Sequence, residues 1–175
     1  HSYAPNAIDE AVNQEHKALA EAACLLRKAG HQVKRISGGS TPTAELSDNS
    51  VLTEVRPGVY VFGDAQQFEL GRTGWNDIAL SVASTVSRHE GSAEIPRRIV
   101  VDAGSKVLGA DRPAWASGYG RVMECPEASI TALSEHHATI AWPEDRELPG
   151  YGEQLRIIPN HVCVAVNLVD SVLAI

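Results

Sequence analysis

Gln32-Val33-Lys34-Arg35-Ile36-Ser37 runs directly into Gly38-Gly39-Ser40-Thr41-Pro42-Thr43, and this junction decides how the first part of the chain is read. The first six residues have the length and composition of a short strand. The glycine pair then breaks it, and Pro42 suits the opening turn of a short helix, expected around Ala44 to Leu46. Upstream, Ile8, Val12, Leu19, Ala23 and Leu26 recur at spacings of three, four and seven. That period predicts a helix from Asn6 to Gly30, with Asn6 as its cap and Gly30 as its stop. Downstream, Gly58-Val59-Tyr60-Val61-Phe62-Gly63 predicts the next strand. Helix, strand, Gly-rich turn, helix and strand in succession are the alternation of a parallel sheet or barrel.

Past residue 75 the texture changes. Strands are predicted over 78–87, 98–101, 128–133, 138–142, 154–158 and 162–169, from β-branched runs divided by Gly, Pro and acidic turns. Helical periodicity is nearly absent there. The expected organisation is an α/β part over residues 1–75 and a β-rich part over residues 76–175.

The net charge of −7 and the lack of a basic stripe argue against a nucleic-acid surface. No apolar run approaches the ~18 residues that span a bilayer. The opening His1-Ser2-Tyr3-Ala4-Pro5 has no signal-peptide pattern, so a soluble, cytoplasmic protein is expected. Cys24, Cys125 and Cys163 are odd in number and widely spaced, which favours a reducing compartment over a disulfide framework. Cys24 falls within the helical pattern and is expected in the core.

Three segments can carry chemistry. Gly38-Gly39-Ser40-Thr41 offers backbone N–H groups and hydroxyls at a strand-to-helix turn, the equipment of a phosphate cradle, although an ordinary capped turn has the same composition. Arg56-Pro57-Gly58-Val59 offers a second turn of either kind. His161-Val162-Cys163 places imidazole and thiol two apart, on one side of a strand, where both reach one ion. Two protein ligands leave an open metal site suited to Lewis-acid chemistry, and zinc is the metal such a pair favours; a buried His beside a buried Cys is the alternative. Glu135-His136-His137 and Lys106 are weaker candidates, each also read as a solvated group.

In this order, HSY (1–3), SGGSTPT (37–43), EVRPGVYVFGD (54–64), DAGSKVLGADR (102–112), SEHH (134–137) and IIPNHVC (157–163) resemble the D-threonine aldolase and D-serine dehydratase family. These are fold-type III pyridoxal-phosphate (PLP) enzymes related to alanine racemase. The resemblance implies the second half of a PLP-binding (β/α)8 barrel over residues 1–75, followed by a β-rich metal-binding domain over 76–175. It implies that Gly39, Ser40 and Thr41, with Gly58 and Val59, hold the cofactor phosphate, and that Tyr3 lies near its ring. His161 and Cys163 match the ligands of a divalent metal, zinc or manganese.

A complete barrel of this kind takes ~250 residues. The half before Tyr3, with the Schiff-base lysine, is therefore expected outside this chain, and no catalytic residue is assigned within it. Lys106 matches a family position away from the cofactor. The chain alone is expected to be an incomplete catalyst, with the N-terminal half of the barrel as its missing partner and a homodimer as the intact assembly. The implied activity is a lyase reaction on D-β-hydroxy amino acids. Cys163 tips the expectation toward dehydration to a 2-oxo acid and ammonia, because the aldolase pattern tends toward His-x-Asp. Retro-aldol cleavage to glycine and an aldehyde is the alternative, and a non-catalytic metal-binding remnant is a reading from another class. A racemase is disfavoured, since racemisation needs no metal at a hydroxyl.

Overall fold

The computed structural model describes residue 4, residues 6–91 and residues 97–175. It separates into two compact units: residues up to Val61 together with Leu70–Arg72, and Phe62–Glu69 together with Thr73–Ile175.

The first unit opens with α1 (Ile8–Lys28), which buries Ile8, Val12 and Ala23 on one face. Asp9 and Glu10 lie in its first turn and Arg27 and Lys28 in its last, each complementing the helix dipole. The expected cap is corrected: Ala7 takes the N-cap position, without a side-chain hydrogen bond. Cys24 is exposed, because the inward position beside it belongs to Ala23. A parallel pair follows, β1 (Ser37–Gly38) and β2 (Glu54–Val55). The predicted strand over 32–37 thus shrinks to its last residue plus Gly38. Gly39, at φ +70, leaves strand geometry and ends β1. β2 stops at Val55, and Val59–Val61 forms a 3-10 turn where a strand was expected.

The second unit is a closed six-stranded antiparallel barrel in the order β3-β4-β7-β6-β5-β8. Its strands are β3 (Val82–Glu90), β4 (Arg98–Val101), β5 (Gly120–Val122), β6 (Cys125–Leu133), β7 (Ala138–Ala141) and β8 (Gln154–Pro159). Closure removes the exposed edges an open sheet of this size would carry. Period-two alternation points Ile99, Val101, Ile130, Ile140 and Ile157 into the interior, all fully buried. Ile140 of β7 lies opposite both Ile99 of β4 and Ile130 of β6, so the core is built around that row. Each such side chain contributes roughly 1.5–3 kcal/mol by leaving water. The short strand β5 was not predicted.

Three short helices decorate this barrel: α2 (Ala65–Glu69), α3 (Ser105–Leu108) and α4 (Val162–Asn167). Ile158 of β8 turns outward and packs with Ala65, Ile78, Phe68 and Trp75. The last predicted strand, 162–169, is corrected to α4. Its valines read as β-formers, but Val162 and Ala165, three apart, bury one helical face, and tertiary contacts override the propensity.

Candidate metal and cofactor sites

Strand β8 delivers the Pro159-Asn160-His161-Val162-Cys163 segment, and each residue from Pro159 to Val162 has its own anchor. Pro159 is still on the strand, opposite Gly120 of β5. Asn160, almost fully buried, donates from Nδ2 to the carbonyl of Asp111 at 2.9 Å and accepts from the Gln66 N–H at 3.2 Å. His161 is the N-cap of α4, in extended conformation, with Nδ1 2.5 Å from Oδ2 of Asp111. A carboxylate only accepts, so the proton of this bond sits on Nδ1, and in the neutral ring Nε2 is the nitrogen with a free lone pair. The N–H of Val162 is bound by Oδ2 of Asp64 at 3.0 Å.

Cys163 is the second residue of the helix and is solvent-exposed. The strand geometry expected for His161 and Cys163 is therefore corrected: they flank a helix start. Partial burial, then the carboxylates of Asp64 and Asp111, push the Cys163 thiol above its ordinary pKa. A thiolate there wants a cation beside it.

Asp111 reaches His161 because its loop is clamped at both ends. The first N–H groups of α3 donate to the β6–β7 turn, Ser105 to the Ser134 carbonyl at 2.9 Å and Lys106 to the Glu135 carbonyl at 3.1 Å. At the other end, Gly109 has φ +76, and a Cβ there would lie 2.5 Å from Cγ1 of Val164 on α4. Only glycine permits both the left-handed turn and that approach. Two motifs noted in the sequence thereby acquire a structural purpose: they hold the Asp111 loop against α4. Glu135, Lys106 and His136 form an exposed cluster, with Lys106 Nζ 3.2 Å from Glu135 and 3.4 Å from His136 Nε2. None of these three joins the His161 group.

Asp64 is the buried carboxyl group of this region, with no exposed surface. Burial raises its pKa, against the opposing pull of the N–H groups of Gln67 and Val162. Sequence reasoning quoted Asp64 and Asp111 within motifs but gave neither a role. Their partners in the His161 segment are 98 and 50 residues away, and no local signal connects them to it.

Among the described residues, no group of three or more His, Cys, Asp or Glu side chains is arranged to hold a metal ion. The donor chemistry nonetheless fits an open site with two protein ligands. Metal-binding histidines ordinarily give their other ring N–H to a carboxylate, which is what Asp111 receives.

In the first unit, the two turns expected to cradle a phosphate are brought together. They follow adjacent parallel strands, at the C-terminal ends of β1 and β2, and the Tyr60 N–H donates to Oγ1 of Thr41 at 3.2 Å. Ser40 is the N-cap of the 3-10 turn Thr41–Leu46 and forms a capping box with Thr43. The Ser40 N–H goes to Thr43 Oγ1 at 2.9 Å, and the Gly39 N–H goes to Oε2 of Glu15 at 2.9 Å. A carboxylate thus occupies one of the expected anion donors. Of the groups expected to hold a phosphate, Thr41, Gly58, Val59 and the Ser40 hydroxyl are the ones not bonded to that carboxylate. Tyr3 lies outside the described residues.

Residues 79–175 match the family described as "Putative serine dehydratase domain". An uncharacterized protein of Mycobacterium tuberculosis is 58% identical over 112 residues, which is 64% of this chain and 84% of that protein. The D-threo-3-hydroxyaspartate dehydratase of Delftia sp. is 33% identical over 175 residues, covering 91% of this chain and 45% of the enzyme. Its solved structure superposes with a TM-score of 0.77 at 32% identity, over 95% of this chain and 47% of that one. An alanine-racemase-like protein from Idiomarina loihiensis gives 0.79 at 30% identity, over 94% and 47%. The chain spans about half the length of this dehydratase and of both solved structures. The six-stranded barrel agrees with the β-rich part of such proteins. No helix among the described residues is long and apolar enough to cross a membrane. The chain belongs to the D-serine dehydratase and D-threonine aldolase family, among the alanine-racemase-like PLP enzymes.

Proposed function

We propose that this chain carries the metal-binding half of a PLP- and divalent-metal-dependent lyase for D-β-hydroxy amino acids, and that its reaction is dehydration to a 2-oxo acid and ammonia. The observation that carries the reading is the pairing of His161 Nδ1 with Asp111 at the head of a helix whose second residue is Cys163. His161 Nε2 and Cys163 Sγ are the two donors for the metal, and Asp111 holds the imidazole in the tautomer that leaves Nε2 unprotonated. The Delftia dehydratase supports this, because its variants include a histidine and a cysteine substituted two positions apart, the latter in a metal-free form.

When bound, the metal would polarise the substrate hydroxyl as a Lewis acid, and PLP would withdraw electrons from the substrate's α-carbon. The chain's own contribution to the cofactor is its phosphate hold: Thr41, Gly58, Val59 and the Ser40 hydroxyl. The softness of the Cys163 sulfur favours zinc over manganese. The test uses the polypeptide its gene encodes, supplied with PLP, zinc and D-threonine. A 2-oxo acid with ammonia is the expected product. Glycine with acetaldehyde would assign retro-aldol cleavage instead, and no turnover of D-threonine or D-serine would favour a binding role.

A further inference from the structure

Asp64 has no place in the chemistry above, yet it is a fully buried carboxylate, and burying a charge costs stability unless it is tightly bound. Each of its oxygens holds one helix start. Oδ1 accepts the Gln67 N–H of α2 at 2.8 Å, and Oδ2 accepts the Val162 N–H of α4 at 3.0 Å. Val162 is the residue between His161 and Cys163, and its N–H belongs to the peptide that joins it to His161. A second link between the same two segments runs from the Gln66 N–H to the Asn160 carbonyl at 3.2 Å.

We propose that Asp64 is a positioning residue for the metal pair: by holding the Val162 N–H, it sets the separation at which the His161 imidazole and the Cys163 sulfur face one ion. The inference rests on the reading that those two residues bind a metal. A merely stabilising cap would serve equally well at any short helix. Here the captured N–H belongs to the one residue between the two donors, and the carboxylate anchoring it is locked on its other side by α2. Rotation about that peptide would move the two donors relative to each other, and Asp64 blocks it.

The test uses the whole chain and cobalt(II) alone, read by the sulfur-to-cobalt charge-transfer band and by titration. The parent chain shows the band and C163A loses it; a parent chain without it would overturn the metal reading and this proposal together. D64N keeps the shape of the side chain but faces one of the two N–H groups with an amide. It is expected to remain folded by thermal melting, to bind cobalt roughly 10- to 100-fold more weakly and to shift the band. Should D64N fail to fold, V162P tests the same bond from its other end. Proline removes the donated N–H yet suits the first helical position, and the extended His161 before it is compatible. V162P is expected to show the same loss. A folded D64N or V162P with the parent's band and affinity would reduce Asp64 to a structural cap and overturn the proposal.

Discussion

Oδ2 of Asp111 lies 2.5 Å from Nδ1 of His161, fifty residues further along the chain, and this contact turns a His-x-Cys pair into an oriented one. Removing it in D111A is expected to weaken zinc binding by about 10- to 100-fold, and D111N by less, because the amide oxygen can still accept. Titration against a zinc chromophore checks this. The melting temperature should change little, since both side chains keep about a third or more of their surface in water.

Cys163 sets the choice of metal. C163D exchanges a soft sulfur for a hard oxygen at the same position, so zinc affinity is expected to fall by roughly tenfold or more while manganese gains relative to zinc. Competition between the two ions, followed by elemental analysis of the loaded protein, reads the ratio. An unchanged ratio would show that Cys163 does not touch the ion.

Gly109 is where the Asp111 loop meets α4. G109A meets both a left-handed backbone and a Cβ 2.5 Å from Val164. The expected cost is about 2 kcal/mol or more, measured by urea denaturation. Adding V164A should recover the part that comes from the clash and leave the backbone part.

Asp102 ties β4 to β3. Its carboxylate accepts the Thr85 N–H at 2.7 Å and the Ser84 hydroxyl at 2.8 Å. These bonds, the Thr85 N–H first, lower its pKa from the ordinary aspartate value. A lowered native value means stability that is present above the ordinary value and is lost as the pH falls through the native one. D102N should therefore be less stable than the parent at neutral pH, with the gap closing as the pH falls below the ordinary aspartate value. Asp64, whose pKa is raised, has the opposite sign, but it is common to both proteins and cancels in the comparison.

The helix over 8–28 and the strands around 98–101, 138–141 and 154–159 were legible because period and β-branched composition agree with the fold there. Barrel closure was not, since it depends on pairings such as β3 with β8, whose partners are some seventy residues apart. The segment after Pro159 misled for a physical reason. Val162, Val164 and Val166 favour a strand locally, but Val162 and Ala165 bury one helical face and the Val162 N–H is held by a carboxylate 98 residues earlier. His161 and Cys163 were picked out as a pair, but the strand geometry invoked for them was wrong. The bonds of Asp111 and Asp64 to that segment span 50 and 98 residues, so no local pattern reveals them.

Ammonia release from D-threonine by the gene-encoded polypeptide, followed before chelation, after chelation and after adding zinc back, tests the central claim most directly. The account predicts release that stops on chelation and returns with zinc in the parent but not in C163A. Release that persists undiminished through chelation would contradict it.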